Sequence, residues 1–399
     1  MIRDQRSDKT TRLRHAAGSL LVVGLGSTEL TGLERAWLKL VRPTGIILFR
    51  RNIADAPQTR ALLVEATALC AEHSLRCVDL EGGTVDRLRD ALAPMPSAQA
   101  VWRATQILDS TSPSVSNKAQ KDGAPEVFRT LGLAHEHGEL VARAVKAFGF
   151  NTTLAPVVDL ALPESAKVIG TRAATDTVIG VVEYARQFLA GLAAQDVAGC
   201  GKHFPGLGAG TRDSHLETPE IRRSGRVLWR EDLAPYRELR DELPMVMVNH
   251  AAYPETPGKK RPASVSPYWI TAVLRKRIGY KGIVFSDDLE MGGILKFMSI
   301  EEAVVAAVRA GMDLMEICHS PELILRAYEA LIAEGERSKS FEDLLTMRAR
   351  RMTRQRARLF GGGVPRALSS RQFEALRKRI VRFGDTIAKA QAAKEGEPA

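Results

Sequence analysis

The chain lacks any apolar stretch near the ~20 residues a membrane-spanning helix needs, so no integral membrane segment is expected. It has four cysteines in 399 residues. Cys70, Cys77, Cys200 and Cys318 stand in apolar surroundings without metal-ligand spacing, which argues against a disulfide scaffold or a cysteine metal knot. They read as reduced core residues of a cytoplasmic protein. No internal repeat is evident. A secretory leader is not expected either. Arg12 and Arg14 precede the run Ala16–Leu25, but two glycines break it and no small-x-small cleavage site follows. Leu20–Leu25 reads better as a first strand.

Acidic residues are scarce only in one place. The net charge is +10, and residues 341–399 hold 14 Lys and Arg against 6 Asp and Glu. The other 340 residues are nearly neutral, so no nucleic-acid partner is expected. The basic tail, helical around Arg371–Lys389, has three readings: packing on the rest of the chain, meeting an acidic partner, or touching anionic lipid. A solvated cationic helix is the default.

What is abundant is the short apolar run. Leu20–Leu25, Gly45–Phe49, Leu75–Leu80, Thr152–Leu160, Val197–Phe204, Met245–His250, Gly282–Asp287 and Leu314–His319 have strand length and no clean alternation, as in strands buried on both faces. Helical patterns separate them, among them Ala56–Glu72, Glu139–Phe148, Ala173–Gln195, Trp269–Ile278 and Ile300–Ala310. Eight strands alternating with helices predict an α/β fold, a single (β/α)8 TIM barrel with a basic helical C-terminal extension. The expected organisation is an N-terminal extension (1–18), a catalytic barrel (19–340) and the extension (341–399). Within the barrel lie a polar insert (109–125) and a mobile, glycine-bearing catalytic loop (204–219).

Polar residues end these runs: Asp79, Asp159, Lys202, His203, Asn249, His250, Asp287, Asp288 and His319. Enzymes of this fold place their chemistry at that end of the strands. Asp287 directly follows an apolar strand, so a stiff element would hold its carboxylate at the barrel mouth as a nucleophile for a glycosidic carbon. Asp288 is expected to point away, as neighbours on a strand do, and fits a helix cap better. His215 can give and take a proton near neutrality, and Asp213 can orient it; a capped turn before Pro219 is the alternative for both. Asp79 can accept hydrogen bonds from two sugar hydroxyls, and Arg87 and Arg172 can donate to sugar oxygens. Arg87 could equally pair with Glu81 or Asp86.

Together these pieces resemble the β-N-acetylhexosaminidases of glycoside hydrolase family 3. The similar segments are Lys-His-Phe-Pro-Gly-Leu-Gly at 202–208, Asp-Ser-His at 213–215, Asp-x-Glu-Gly-Gly at 79–83, Ala-Pro-Val-x-Asp at 155–159 and Ile-Gly-x-Arg at 169–172. Asn-His-x-x-Tyr at 249–253, Pro-Ala-Ser at 262–264 and Phe-Ser-Asp-Asp-Leu-x-Met at 285–291 complete the likeness, which covers roughly residues 20–335. The resemblance implies Asp287 as nucleophile, His215 as acid/base supported by Asp213, and Asp79, Arg87, Arg172, Lys202 and His203 as binders of N-acetylglucosamine. It implies a covalent glycosyl-enzyme, no metal or other cofactor, and a small carbohydrate substrate derived from peptidoglycan muropeptides. The chain departs from the family at Leu207, where a histidine is usual, and at Leu80, Thr171 and Ala174. Another β-glycosidase specificity, a phosphorylase, and a barrel that binds muropeptides without cleaving them stay open at this point.

Overall fold

The computed structural model describes residues 2–110, 132–210, 218–259 and 261–395, with backbone only for 2–8, 109–110 and 394–395. Its centre is a ring of eight short parallel strands: β1 (Leu21–Gly24), β2 (Gly45–Leu48), β3 (Leu75–Val78), β4 (Thr152–Thr153), β5 (Cys200–Phe204), β6 (Met245–Val248), β7 (Ile283–Asp288) and β8 (Leu314–Ile317). They pair in the order β4-β3-β2-β1-β8-β7-β6-β5. Isolated parallel bridges, Thr152 to Ala198 and Val157 to Lys202, join the two ends. This is a (β/α)8 barrel.

Each expected run carries one barrel strand at its heart. Because the strands are buried on both faces, they read as apolar stretches without alternation. The run Thr152–Leu160 keeps only two residues as strand, since Pro156 has no amide proton to give a ladder. The run Leu75–Leu80 splits after Val78, and Leu80–Gly82 starts a separate antiparallel hairpin with Val85–Asp86. That hairpin turns on Gly82 (φ 94°) and Gly83 (φ 63°), and a Cβ on Gly82 would lie 1.9 Å from the Pro96 carbonyl oxygen. Only glycine fits there.

The helices that matter below are α1 (Ile2–Gly18), α2 (Gly32–Val41), α3 (Ala56–Thr67), α4 (Ala98–Ser110), α5 (Gly132–Ala147), α6 (Val178–Ala193), α7 (Ile300–Ala310), α8 (Pro321–Arg337), α9 (Lys339–Phe360) and α10 (Ser370–Glu395). Local signals delimit them. Ser299 and Glu302 form a capping box at the start of α7, and Gly311 (φ 114°) takes the left-handed position after its end. The segment expected as a helix at Trp269–Ile278 is wound as a π-helix over Tyr268–Arg277. Among the described residues, no helix is long and apolar enough to cross a membrane.

The basic C-terminal stretch packs on the barrel instead of standing in solvent. Leu376, Ile380, Phe383, Ile387 and Ala390 recur every three or four residues and are all buried, the stripe of an amphipathic helix. It lies on α4 and α5. There Phe383 stacks on His137 at 5.9 Å, and Arg379 reaches Glu136 and Glu139 at 3.0 and 3.1 Å. In α9, Arg348 and Arg351 converge with Arg275 on the buried carboxylate of Asp313. Helix α1 lies against α8 and α9. The expected polar insert 109–125 falls outside the described residues beyond Ser110.

Candidate active site

The C-terminal ends of the strands surround a cavity of about 460 Å³. Asp79, Arg87, Arg172, Lys202, His203, Asp287 and Asp288 all line it. Asp213 and His215 lie outside the described residues, as does the loop from 211 to 217.

One wall is a network of buried ions. Lys202, on β5, places Nζ 3.0 Å from Asp79 Oδ1 and 2.6 Å from Glu81 Oε1. Arg172 grips the same Glu81 with a two-pronged fork, Nε and Nη2 each 2.8 Å from a carboxylate oxygen. Arg87 stands at 3.8 Å from Asp79. So the expected alternative partners of Arg87, Glu81 and Asp86, are engaged elsewhere: Glu81 holds Arg172 and Lys202, while Asp86 accepts the N–H groups of Leu88 and Met95. Burial works against the charge on Glu81, but Arg172 and Lys202 outweigh it and bring its carboxyl down to about 2. Burial likewise opposes the charge on Lys202 and on Arg172. The Asp79 and Glu81 carboxylates beside Lys202, and Glu81 beside Arg172, nevertheless push both pKa values above their ordinary levels.

The next wall is built by hydrogen bonds that fix His203. Asp159 Oδ2 accepts the His203 backbone N–H at 3.1 Å and lies 2.7 Å from its Nδ1, while Oδ1 accepts the Leu207 N–H at 2.7 Å. Arg172 Nη2 stands 3.3 Å from the other ring nitrogen. Leu207, which replaces the histidine of the family pattern, is packed in the core and lines the cavity. Asn249 donates to the His203 carbonyl at 2.9 Å. His250 Nδ1 sits 2.7 Å from Ser264 Oγ, and its Nε2 donates to the Asp288 carbonyl at 2.9 Å.

At the end of β7 two adjacent carboxyls are driven apart. Burial raises Asp287, but the His203 and His250 side chains, the Asp288 N–H and Lys202 outweigh it and hold Asp287 below its ordinary value. Asp288 is pushed up to about 7 by burial, with Glu290 and Asp287 adding repulsion. Asp287 is therefore the more acidic member of the pair, the kind of separation that divides roles in two-carboxyl sites. Asp288 does not point away as expected; it too lines the cavity, although its Oδ1 caps the Glu290 N–H at 3.0 Å.

Two acidic residues not expected among the catalytic or sugar-binding groups belong to this site. Glu81 is the hub of the cation wall. Glu316, inside the apolar run of β8, is buried and lines the cavity, and it accepts from Cys318 Sγ at 3.0 Å. Burial and the nearby Asp288 and Asp79 push its carboxyl well above the ordinary range. Among the described residues the one cluster with suitable metal donors is Asp288, Glu290 and His319. Glu290 already accepts the N–H groups of Cys318, His319 and Ser320 ahead of α8, and Arg51 lies 3.0 Å from His319 Nδ1.

Residues 12–354 match the family described as the glycosyl hydrolase family 3 N terminal domain. The chain is 33% identical over 313 residues to a beta-hexosaminidase of Stenotrophomonas maltophilia, covering 78% of this chain and 87% of that one. It is 38% identical over 305 residues to a beta-hexosaminidase of Alkalilimnicola ehrlichii, covering 76% and 82%. Among solved structures, a glycoside hydrolase family 3 β-N-acetylglucosaminidase from a Paenibacillus species superposes with a TM-score of 0.78 at 30% identity, over 93% of this chain and 68% of that one. NagZ from Neisseria gonorrhoeae gives 0.70 at 29%, over 93% and 97%.

Proposed function

Starting from the fact that this chain belongs to glycosyl hydrolase family 3 and is a β-N-acetylhexosaminidase, we propose that it is a retaining exo-β-N-acetylglucosaminidase of peptidoglycan-derived muropeptides. Asp287 carries the reading. It stands at the end of a barrel strand, lines the cavity and is held below its ordinary pKa beside a carboxyl that is pushed up.

In this reading the terminal sugar sits against the cation wall, its hydroxyls shared among Asp79, Arg87, Arg172, Lys202 and His203. An Asp287 carboxylate oxygen attacks the anomeric carbon as the bond to the leaving oxygen breaks. That oxygen takes a proton from His215, which Asp213 orients. Water then attacks the glycosyl-aspartate, returns a proton to His215 and frees Asp287 with net retention. The fork between Arg172 and Glu81 and the Asp159 clamp on His203 supply the rigidity such positioning needs. A cationic outer rim supports an acidic aglycone: exposed Lys167, with Arg87 over Phe49 at 5.7 Å. Four free buried cysteines support a reducing, cytoplasmic setting.

The test is hydrolysis of an aryl β-N-acetylglucosaminide against the matching β-glucoside, with Asp287→Ala and His215→Ala alongside. Turnover of the first sugar only, lost in Asp287→Ala, is expected. In His215→Ala a drop of roughly 10²–10⁴ follows from losing a general acid. Preference for the glucoside, or sugar-1-phosphate as product in phosphate buffer, would overturn the assignment. A muropeptide fragment should outpace neutral chitobiose; equal rates would remove the peptidoglycan part.

A further inference from the structure

The strand that ends near Asp287 does not by itself aim the carboxylate. Against β6 the ladder of β7 stops at Ser286, opposite Val248. Against β8 the register shifts: Leu314 faces Phe285 but Glu316 faces Asp288, so β7 carries one residue more over that stretch. A bulge of this kind lets a side chain be re-aimed. Among the described residues it leaves Asp287 without a register partner on either neighbouring strand. The Asp288 N–H is spent on the Asp287 side chain itself, 3.0 Å from Oδ1. The next peptide, between Asp288 and Leu289, is the nearest fixed point. Its N–H donates to the Glu316 carbonyl of β8 at 2.9 Å, and its carbonyl accepts the Met291 N–H at 3.0 Å and His250 Nε2 at 2.9 Å.

His250 therefore replaces, with a side chain, the tie to β6 that the ladder no longer gives. It lies two residues past β6, fully buried, and is not part of the sugar cavity's lining. A carbonyl only accepts, so Nε2 carries the proton. Nδ1 faces Ser264 Oγ at 2.7 Å, and a serine hydroxyl donating there fixes that tautomer. Ser264 is equally buried, in the turn Ala263–Val265. That turn zips back onto the segment that carries His250: the Ala263 N–H donates to the Ala251 carbonyl at 2.9 Å and the Ser264 N–H to the Asn249 carbonyl at 3.1 Å. The imidazole is thus tied at both nitrogens. Against the burial that raises Asp287, His203 first and His250 next favour its charged form.

We propose that His250 is a positioning residue for the nucleophile: locked by Ser264, it anchors the backbone after Asp287 so that the carboxylate is aimed at the anomeric carbon. It touches neither the sugar nor the reacting atoms and acts through Asp287. Attack needs the reacting atoms about 3–3.5 Å apart and aligned, and a displacement of about 1 Å costs on the order of 10² in rate. The sugar-binding groups stand on other strands, so loss of His250 should leave the sugar bound and the nucleophile misdirected. The role rests on the reading of Asp287 as nucleophile.

The test is steady-state hydrolysis of the aryl β-N-acetylglucosaminide by the full chain, with N-acetylglucosamine binding followed by calorimetry. In His250→Ala, kcat should fall roughly 10²-fold, while KM and the affinity for N-acetylglucosamine stay within about twofold. His250→Gln, whose amide N–H₂ takes the place of Nε2, should recover roughly tenfold of that loss, about the worth of one hydrogen bond. His250→Asn is too short to reach the Asp288 carbonyl and should recover none. Ser264→Ala should lower kcat roughly two- to tenfold, again without a change in KM. Melting curves show which variants are folded; if His250→Ala is not, the Gln, Asn and Ser264→Ala variants decide the matter. Wild-type kcat in folded His250→Ala, equal kcat in His250→Gln and His250→Asn, or a KM that rises as much as kcat falls would overturn the role. Turnover surviving in Asp287→Ala would instead remove the nucleophile reading beneath it.

Discussion

Glu81→Gln keeps the side-chain volume and removes one negative charge from between Arg172 and Lys202. The wild-type carboxyl is held at about 2 against an ordinary 4.5. At 1.36 kcal/mol for each tenfold, that depression corresponds to about 3 kcal/mol of folding stability at neutral pH. Breaking a buried ion pair by removing one partner costs roughly 3–5 kcal/mol, so two routes reach the same size. The sign follows from the direction of the change. A depressed carboxyl contributes in full above its unfolded pKa and loses that contribution as pH falls toward the folded value. The stability gap between wild type and Glu81→Gln should therefore be about 3 kcal/mol at pH 7 and narrow to less than half of that at pH 3. Urea unfolding at both pH values measures it. KM for the aryl N-acetylglucosaminide should rise in parallel, because Arg172 loses the fork that aims it. A gap below ~1 kcal/mol at pH 7, or one that does not change with pH, would refute the view of Glu81 as an electrostatic hub.

Two further outcomes follow from buried groups. Asp232 is buried beside Gly206, and burial pushes it up to about 7 despite Arg223 at 3.4 Å. The folded chain thus keeps a proton that the unfolded chain loses, so wild-type stability should fall as pH rises from about 4 to about 7. The melting temperature of Asp232→Asn should gain on wild type between pH 5 and pH 8, and a constant difference would show that Asp232 is not the cause. Deleting 365–399 strips the barrel of Leu376, Ile380, Phe383 and Ile387, buried side chains contributing roughly 1.5–3 kcal/mol each. The sum is comparable to the ~5–15 kcal/mol by which whole domains are stable. The truncated chain should be unfolded or aggregated by circular dichroism and size-exclusion chromatography; a folded, active product would show that α10 contributes little.

Much of this was readable in advance because the barrel repeats one physical pattern. The strands are short and lie in largely apolar runs buried on both faces, so the run survives in the sequence even where the ladder shrinks to Thr152–Thr153. The polar residues after those runs fall at one rim for the same reason. Glu81 was harder. Its partner Arg172 lies 91 positions away, and nearby Arg87 offered a plausible local partner. Glu316 did leave a signal, a lone carboxyl within the apolar β8. The apolar period of α10 was also visible, but a period names no partner, and its seat on α4 and α5 is decided by tertiary packing.

That seat has a consequence for how the protein is made. Gln391 donates to the Ala100 carbonyl across 291 residues of chain, and β8 must pair with β1 to close the ring. Ribosomes deliver the N-terminal part first. Until the last helix emerges, the faces of α4 and α5 that it covers stay exposed to solvent. Premature termination before β8 would release an open-sided barrel, and termination between β8 and α10 one with an uncovered apolar face.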